Sequence, residues 1–467
     1  MLRMLLLAIP IVFMPNALHL SFETGVPGLN IANLVFLLAL ATVVLGGRRQ
    51  TAPQGRGELT PALLAYFAML VVGFFIAQFT RPIAWTTDVG QLKNIVFYPL
   101  LYFIYRNCKL DQRSTRWLVI LVMVIAAVAG IEAVREGLDY GFGRYVESRR
   151  ASGPFGVDFH NANRAGVFYA MFLPMFIAMA LFFRGQKLWR IAAIGGCAIL
   201  VLAIMATYSR QSYAIALFGL SLLLMRRNLL LAVMIAVLAL PAASLLPESV
   251  TQRVAETEQT NAAGVEELDM STASRFEIWG GAVKMWQEYP IGVGLGRFPK
   301  YIGRYSTHAN FDAHNYYVLV MSELGPFGLA ALMWLLWRMW RLAGRVRAAI
   351  GGVSAEAKAL GIGFTVTIVA MALGNLYGSP FTEGSVMANF WILCGLMEHY
   401  ARQVRSPVAA TAATPVGGLR AGIAERFPMA ARIAPGRYRT PQGHNEPGTA
   451  QPRLARAPAT KDAGASG

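Results

Sequence analysis

The feature that most constrains this chain is a succession of long apolar runs, most of them sufficient to cross a bilayer, separated by short connectors rich in Lys and Arg. An α-helix rises ~1.5 Å per residue, so about 20 apolar residues span a ~30 Å hydrocarbon layer. Within that layer every backbone N–H and C=O must be satisfied internally, which a helix does within itself. Of the 467 residues, 55% are hydrophobic and only 14% charged, which excludes a soluble fold. The expectation is an all-α, polytopic integral membrane protein of about twelve helices. The runs lie near 4–18, 28–46, 61–79, 91–105, 117–134, 162–183, 189–206, 212–225, 228–246, 314–337, 359–377 and 386–401.

The net charge of +17 would suggest a nucleic-acid partner in a soluble domain, but its distribution has another cause. Short connectors on one side carry seventeen Lys or Arg: Arg48, Arg49 and Arg56; Arg106, Lys109, Arg113 and Arg116; Arg184, Lys187 and Arg190; Arg226 and Arg227; Arg338, Arg341, Arg345, Arg347 and Lys358. Those on the other side carry Arg81, Lys93 and Arg210. Basic residues in short loops resist translocation, so both termini are expected in the cytoplasm. No nucleic acid is then needed to explain the charge. Met-Leu-Arg at the start leads into an apolar run without a small-residue cleavage site before His19, which reads as a retained first span. Cys108, Cys197 and Cys394 are odd in number and lie in or beside apolar segments, so no disulfide framework is indicated.

Two exterior loops are long, 135–161 and 247–313, and long loops in compact proteins tend to carry function. Past residue 402 the chain turns to Ala, Pro, Gly and Arg, with eight prolines from Pro407 to Pro458. The expected division is therefore a membrane domain over 1–402 and a disordered basic cytoplasmic tail over 403–467.

Charges near membrane depth are costly and tend to be functional. Arg210 interrupts two apolar runs in Ala206-Thr-Tyr-Ser-Arg-Gln-Ser-Tyr213, which predicts a tight exterior turn holding a guanidinium at the lipid boundary. A snorkelling arginine on lipid headgroups is the alternative. In Ser274-Arg-Phe-Glu-Ile-Trp279 and onward, Phe276, Trp279, Val283 and Trp286 recur at helical spacing, predicting an amphipathic helix along the membrane face that Pro290 ends. Ser274 is the expected N-cap, placing Arg275 in the first turn where N–H groups favour an anion.

Ile291-Gly-Val-Gly-Leu-Gly-Arg297 has the glycine spacing of a dinucleotide loop but no surrounding βαβ unit, and reads instead as backbone able to turn close to a ligand. Arg297, Lys300 and Arg304 add positive potential behind it. His314, in Asp312-Ala-His-Asn-Tyr-Tyr317, falls at the exterior mouth of the tenth run; it is a candidate proton acceptor, or a histidine satisfied at a helix start. His160, Asn161, Asn163 and Arg164 offer contacts to a sugar or phosphate, or else cap their own helix. No Cys/His zinc spacing occurs, and Glu266, Glu267 and Asp269 are a thin carboxylate set for a metal.

In order, Ser209-Arg210, Ser274-Arg275-Phe-Glu-Ile-Trp279, Tyr289-Pro-Ile-Gly-Val-Gly294, His314-Asn-Tyr-Tyr317 and Glu323-Leu-Gly325 resemble the bacterial O-antigen ligase family, which also houses O-antigen and exopolysaccharide polymerases. The likeness runs over 152–328, with the helical frame extending it to about residue 402. The resemblance implies a GT-C-like membrane glycosyltransferase of the inner membrane, inverting, independent of metal or other cofactor, with its site facing the periplasm. Its donor would be a glycan on undecaprenyl pyrophosphate, and its acceptor lipid A-core or a second lipid-linked glycan. By motif position Arg210 and Arg275 match the family's pyrophosphate-binding arginines and His314 its essential histidine. The looser match around His160 and Arg164 implies a substrate contact only. A transporter is the competing class; it calls for charged or Gly/Pro-broken helices near the midplane and repeated halves.

Overall fold

A computed structural model describes residues 1–16, 30–45, 55–80, 85–141, 146–156, 161–230, 232–234, 237, 258–260, 266–268 and 270–411. The chain divides into two units, Met1–Val408 and Ala409–Gly467; the second lies almost wholly outside the described residues, as does most of the expected tail. The first is helical: α1 (Leu2–Phe13), α2 (Ile31–Val44), α3 (Thr60–Thr80), α4 (Trp85–Phe97), α5 (Leu100–Arg106), α6 (Gln112–Tyr140), α7 (Asn161–Phe182), α8 (Lys187–Ala206), α9 (Arg210–Arg227), α10 (Met270–Glu288), α11 (Phe298–Ile302), α12 (Tyr316–Ile350), α13 (Ala355–Gly374) and α14 (Gly384–Thr411). One hairpin, β1 (Glu258–Thr260) with β2 (Glu266–Leu268), supplies the strands among the described residues.

Six helices, α3, α6, α7, α8, α12 and α13, are long and apolar enough to cross a membrane, as a polytopic membrane protein requires. α1 and α2 are shorter apolar helices, and most of the expected run 228–246 lies outside the described residues. The expected run 91–105 is not one helix. Pro99 disfavours helical geometry at Tyr98, and α4 stops at Phe97 before α5 begins at Leu100.

α7 is the centre. Its side chains are buried on every face from Ala165 to Met179, as expected of a helix apolar all round. α13 packs most extensively against it, and Gly363 allows that approach: a Cβ there would sit 2.9 Å from Met175 Cα. Several arginines of the basic connectors are held by two buried carboxylates. Glu58 pairs with Arg338 at 3.1 Å and with Arg345, and Glu398 pairs with Arg106 at 3.1 Å while accepting Tyr102 Oη at 2.5 Å. All three cysteines are free.

The expected tenth run, 314–337, is not a single crossing. Gly325 (φ 66°, ψ −169°) and Pro326 break α12 into arms 316–324 and 326–350. Tyr317 shares one apolar groove with Leu336 and Trp340, so the arms lie back on one another. Glycine alone adopts that dihedral pair at low cost, and proline has no N–H to continue the ladder.

Candidate functional site

The glycine-rich segment lies against this break. Carbonyls of Ser322 and Glu323, freed by the reversal, accept Val293 N at 2.9 Å and Gly294 N at 3.0 Å, and Leu295 N donates to Gly73 O of α3 at 2.9 Å. Gly292, Gly294 and Gly296 all have φ between 71° and 95°, and a Cβ at Gly294 would collide with the Ala77 backbone. Gly292 and Gly294 are therefore needed for close approach to protein backbone, and Gly296 for close approach to the Gln91 side chain. Non-helical chain can be buried where protein satisfies its backbone groups, as here.

This packing also decides the place of Arg297. The side chain is wholly buried and forms a two-pronged pair with Asp88 of α4, Nη1 to Oδ1 at 2.6 Å and Nη2 to Oδ2 at 2.7 Å. Gln78 donates to the same carboxylate at 2.6 Å. Arg297, expected to add positive potential to a substrate's anion site, is instead enclosed with both terminal nitrogens on Asp88, and joins the glycine segment to α4. Arg304 is exposed and stacks on Tyr301, 4.8 Å from the ring centroid.

Arg210 occupies the turn its sequence predicts. α8 ends at Ala206, Tyr208 takes φ 49°, and Arg210 opens α9 behind the N-cap Ser209. Ser212 Oγ donates to Ser209 Oγ at 2.9 Å, and Gly166 lets α7 close on this turn. Arg150, which the sequence reading passed over, is buried and donates Nε to Thr207 O at 2.9 Å and Nη2 to Asn163 Oδ1 at 2.5 Å. Its only signal in the sequence was a basic residue on the exterior side. Gln211 Nε2 reaches Gly374 O at 2.6 Å.

α10 begins by Met270, so Arg275 lies in its second turn and not at an N-cap on Ser274. Met270 to Ala273 contain neither proline nor glycine, and nothing stops the helix extending backward. The buried stripe is Ile278, Ala282 and Met285, while Phe276 and Val283 of the expected apolar face are exposed. The Arg275 guanidinium lies 5.2 Å from the Tyr377 ring centroid. Trp279 makes an edge contact with the same ring at 5.6 Å and donates Nε1 to Ala313 O at 2.8 Å. On α10, Glu277 accepts Thr307 N at 2.7 Å; hydrogen bonds from the Thr307 N–H and hydroxyl hold its carboxyl below the usual range.

His314 is half-buried in a left-handed conformation (φ 47°), immediately before the N-cap Asn315, whose Oδ1 accepts Tyr317 N at 3.0 Å. That conformation is strained for a histidine, of order 1–3 kcal/mol, and persists where the surroundings over-determine it. Here Tyr316 N donates to Asn375 O at 2.9 Å and Ser379 Oγ to Asp312 Oδ2 at 3.2 Å.

These contacts share a hub that the sequence reading left as a connector: residues 374–383, between α13 and α14. It meets the Arg210 turn through Gln211, Arg275 through Tyr377, the His314 segment through Asn375 and Ser379, and Arg164 through Glu383, whose Oε1 lies 3.0 Å from Arg164 Nη2. Burial pushes the Glu383 carboxyl up, and Arg164 opposes that shift. His160 lies outside the described residues, as does Asp269 of the carboxylate set. Glu267 sits on β2 opposite Gln259. Among the described residues no group of three or more His, Cys, Asp or Glu side chains is placed to hold a metal ion.

Residues 195–333 match a family model described as O-Antigen ligase. The match runs from α8 into the second arm of α12 and contains Arg210, Arg275, Arg297, Arg304 and His314. It supports assignment to the O-antigen ligase family. No curated protein matches the chain.

Proposed function

With residues 195–333 taken as an O-antigen ligase-family domain, we propose that the protein transfers a glycan from undecaprenyl pyrophosphate to a hydroxyl of lipid A-core, at the periplasmic face of the inner membrane. The observation that carries this reading is the meeting of the Arg210 turn, Arg275 and the His314 segment on residues 374–383. Two guanidiniums with planar donor forks suit a pyrophosphate, and the third element supplies an imidazole. In the proposed step the acceptor oxygen attacks C1 of the donor sugar from the face opposite the leaving group. The new C1–O bond forms as the C1–O bond to pyrophosphate breaks, so configuration inverts. The bonding pair leaves with undecaprenyl pyrophosphate, whose growing charge Arg210 and Arg275 stabilise without a metal ion. The acceptor proton passes to His314, a role worth about 10²- to 10⁴-fold in rate.

In the same reading the chain has about twelve spans, both termini in the cytoplasm, periplasmic loops at 135–161 and 247–313, and a basic tail from 403. Arg164 and Arg304, with His160, would add potential around the donor. The transporter alternative gains a Gly/Pro-broken helix in α12, but the carbonyls freed there are taken by Val293 and Gly294 and are not open to a cargo.

The test is purified protein in nanodiscs with labelled lipid-linked glycan and either lipid A-core or a second lipid-linked repeat. A single product on lipid A-core is expected, undiminished by EDTA, and abolished in His314→Ala while donor binding survives. A ladder formed without lipid A-core would make the protein a polymerase. Donor binding lost along with transfer in His314→Ala would move the histidine into the phosphate site.

A further inference from the structure

A cavity of about 230 Å³ lies between α3, α4 and the first arm of α12. Its polar lining includes Asp312, Glu323, Tyr66, Tyr316, Gln91, Asn94 and Thr382, with apolar walls from Leu70, Ile95 and Leu319 among others. No Lys, Arg or His side chain lines it, so it opposes the basic site in character. Two carboxyl groups with no cation among the lining disfavour a phosphate and accept hydrogen bonds from hydroxyls.

The two sites share a wall. Asp312 and Tyr316 face the cavity, while between them Ala313 O accepts Trp279 Nε1 from the helix that carries Arg275. His314 belongs to this wall. The cavity groups are also prearranged: Ser379 Oγ holds Asp312, Phe298 N donates to Glu323 Oε1 at 3.1 Å, and the Tyr66 and Tyr316 hydroxyls lie 2.5 Å apart. Gln91 Oε1 is buried without a hydrogen-bond partner, packed against Gly296. Asn94 is exposed and gives access.

Size narrows the ligand. At ~30 Å³ per water molecule the volume equals about seven or eight waters, roughly one sugar ring, and it falls below the ~300–1,000 Å³ of sites for drug-sized molecules. A sugar ring offers hydroxyl donors on its rim and C–H faces for apolar walls, matching both parts of the lining.

We propose that this cavity is the acceptor subsite, binding one uncharged, hydroxyl-rich sugar ring across the 312–316 wall from the arginines. This rests on the glycosyl-transfer reading above. The donor sugar is bonded directly to its pyrophosphate and must lie on the arginine side, which leaves the opposite side for the acceptor.

The test separates binding from turnover. Saturation-transfer difference NMR on the nanodisc protein, with methyl glycosides of glucose, galactose, mannose, heptose and N-acetylglucosamine, should show at least one bound ring. Asn94→Phe, which blocks the exposed side, and Asp312→Asn, which keeps the shape but removes the charge, should each abolish that signal. In the transfer assay they should raise the acceptor KM at least about tenfold with the donor KM unchanged. That split is one a merely structural role would not produce. No binding of any glycoside to the unaltered protein, or binding indifferent to both variants, would overturn the proposal. Failure of the unaltered protein to transfer glycan while it still binds a glycoside in this cavity would instead count against the activity and leave the sugar site standing.

Discussion

Removing the Arg297 guanidinium should unfold the protein before it harms substrate binding. Arg297 is fully buried and Asp88 is 2% exposed, so Arg297→Met would strand a carboxylate whose remaining side-chain donor is Gln78. Breaking one partner of a buried ion pair costs about 3–5 kcal/mol, because the survivor keeps its desolvation penalty without its counter-charge. At ~2 °C per kcal/mol for a large domain, the midpoint of thermal unfolding should fall by about 6–10 °C. Asp88→Leu should fall by a similar amount, since it strands the arginine. The pair Asp88→Leu with Arg297→Met should recover most of the loss, the coupling expected of groups in direct contact. The assay is intrinsic fluorescence during heating of detergent-solubilised protein, with donor affinity measured well below the transition. An Arg297→Met protein with unchanged midpoint and donor affinity weakened more than about tenfold would refute the reasoning and return Arg297 to the anion site.

Three further outcomes follow from the packing. Tyr377→Ala should weaken donor binding about 2- to 30-fold, the equivalent of ~0.5–2 kcal/mol for the lost ring face under Arg275, whereas Tyr377→Phe should stay near normal in the same equilibrium assay. Gly294→Ala forces a side chain into φ 95° against the Ala77 backbone and should cost more than about 2 kcal/mol, while Gly344→Ala, with open space around it, serves as the neutral control in the same melts. The depressed Glu277 carboxyl stabilises its contact above the unfolded carboxyl pKa of ~4.3 and loses that contribution as pH falls through the lower folded value; the protection factor of the Thr307 amide in hydrogen exchange, with the intrinsic pH dependence divided out, should hold steady from about pH 7 to 5 and fall only below about 4, and a fall already near pH 6 would remove Glu277 as its cause.

Local pattern was enough for much of this molecule. Long apolar runs produced α3, α6, α7, α8 and α13 where they were expected, because a span's length and hydrophobicity are properties of contiguous residues. Short polar interruptions were equally legible: six residues between two runs leave room only for the turn that presents Arg210. The order of small motifs around Arg275 and His314 likewise pointed to a family whose model matches residues 195–333. What the tertiary structure decided was partnership across distance. Arg297 looks like its neighbours Lys300 and Arg304 in sequence, and only the meeting with Asp88, 209 positions away, makes it part of the interior. The 314–337 run reads as one span in sequence, yet Gly325 and Pro326 reverse it, and the 291–296 glycine segment takes the carbonyls freed there. The 374–383 hub carries no signature at all, since its role consists of touching four segments that the chain delivers separately. Periodicity reports which face of an element is apolar; which other element covers that face is settled by the packing of the whole bundle, where a few ångströms of close approach or one buried carboxylate selects among alternatives that are locally equal.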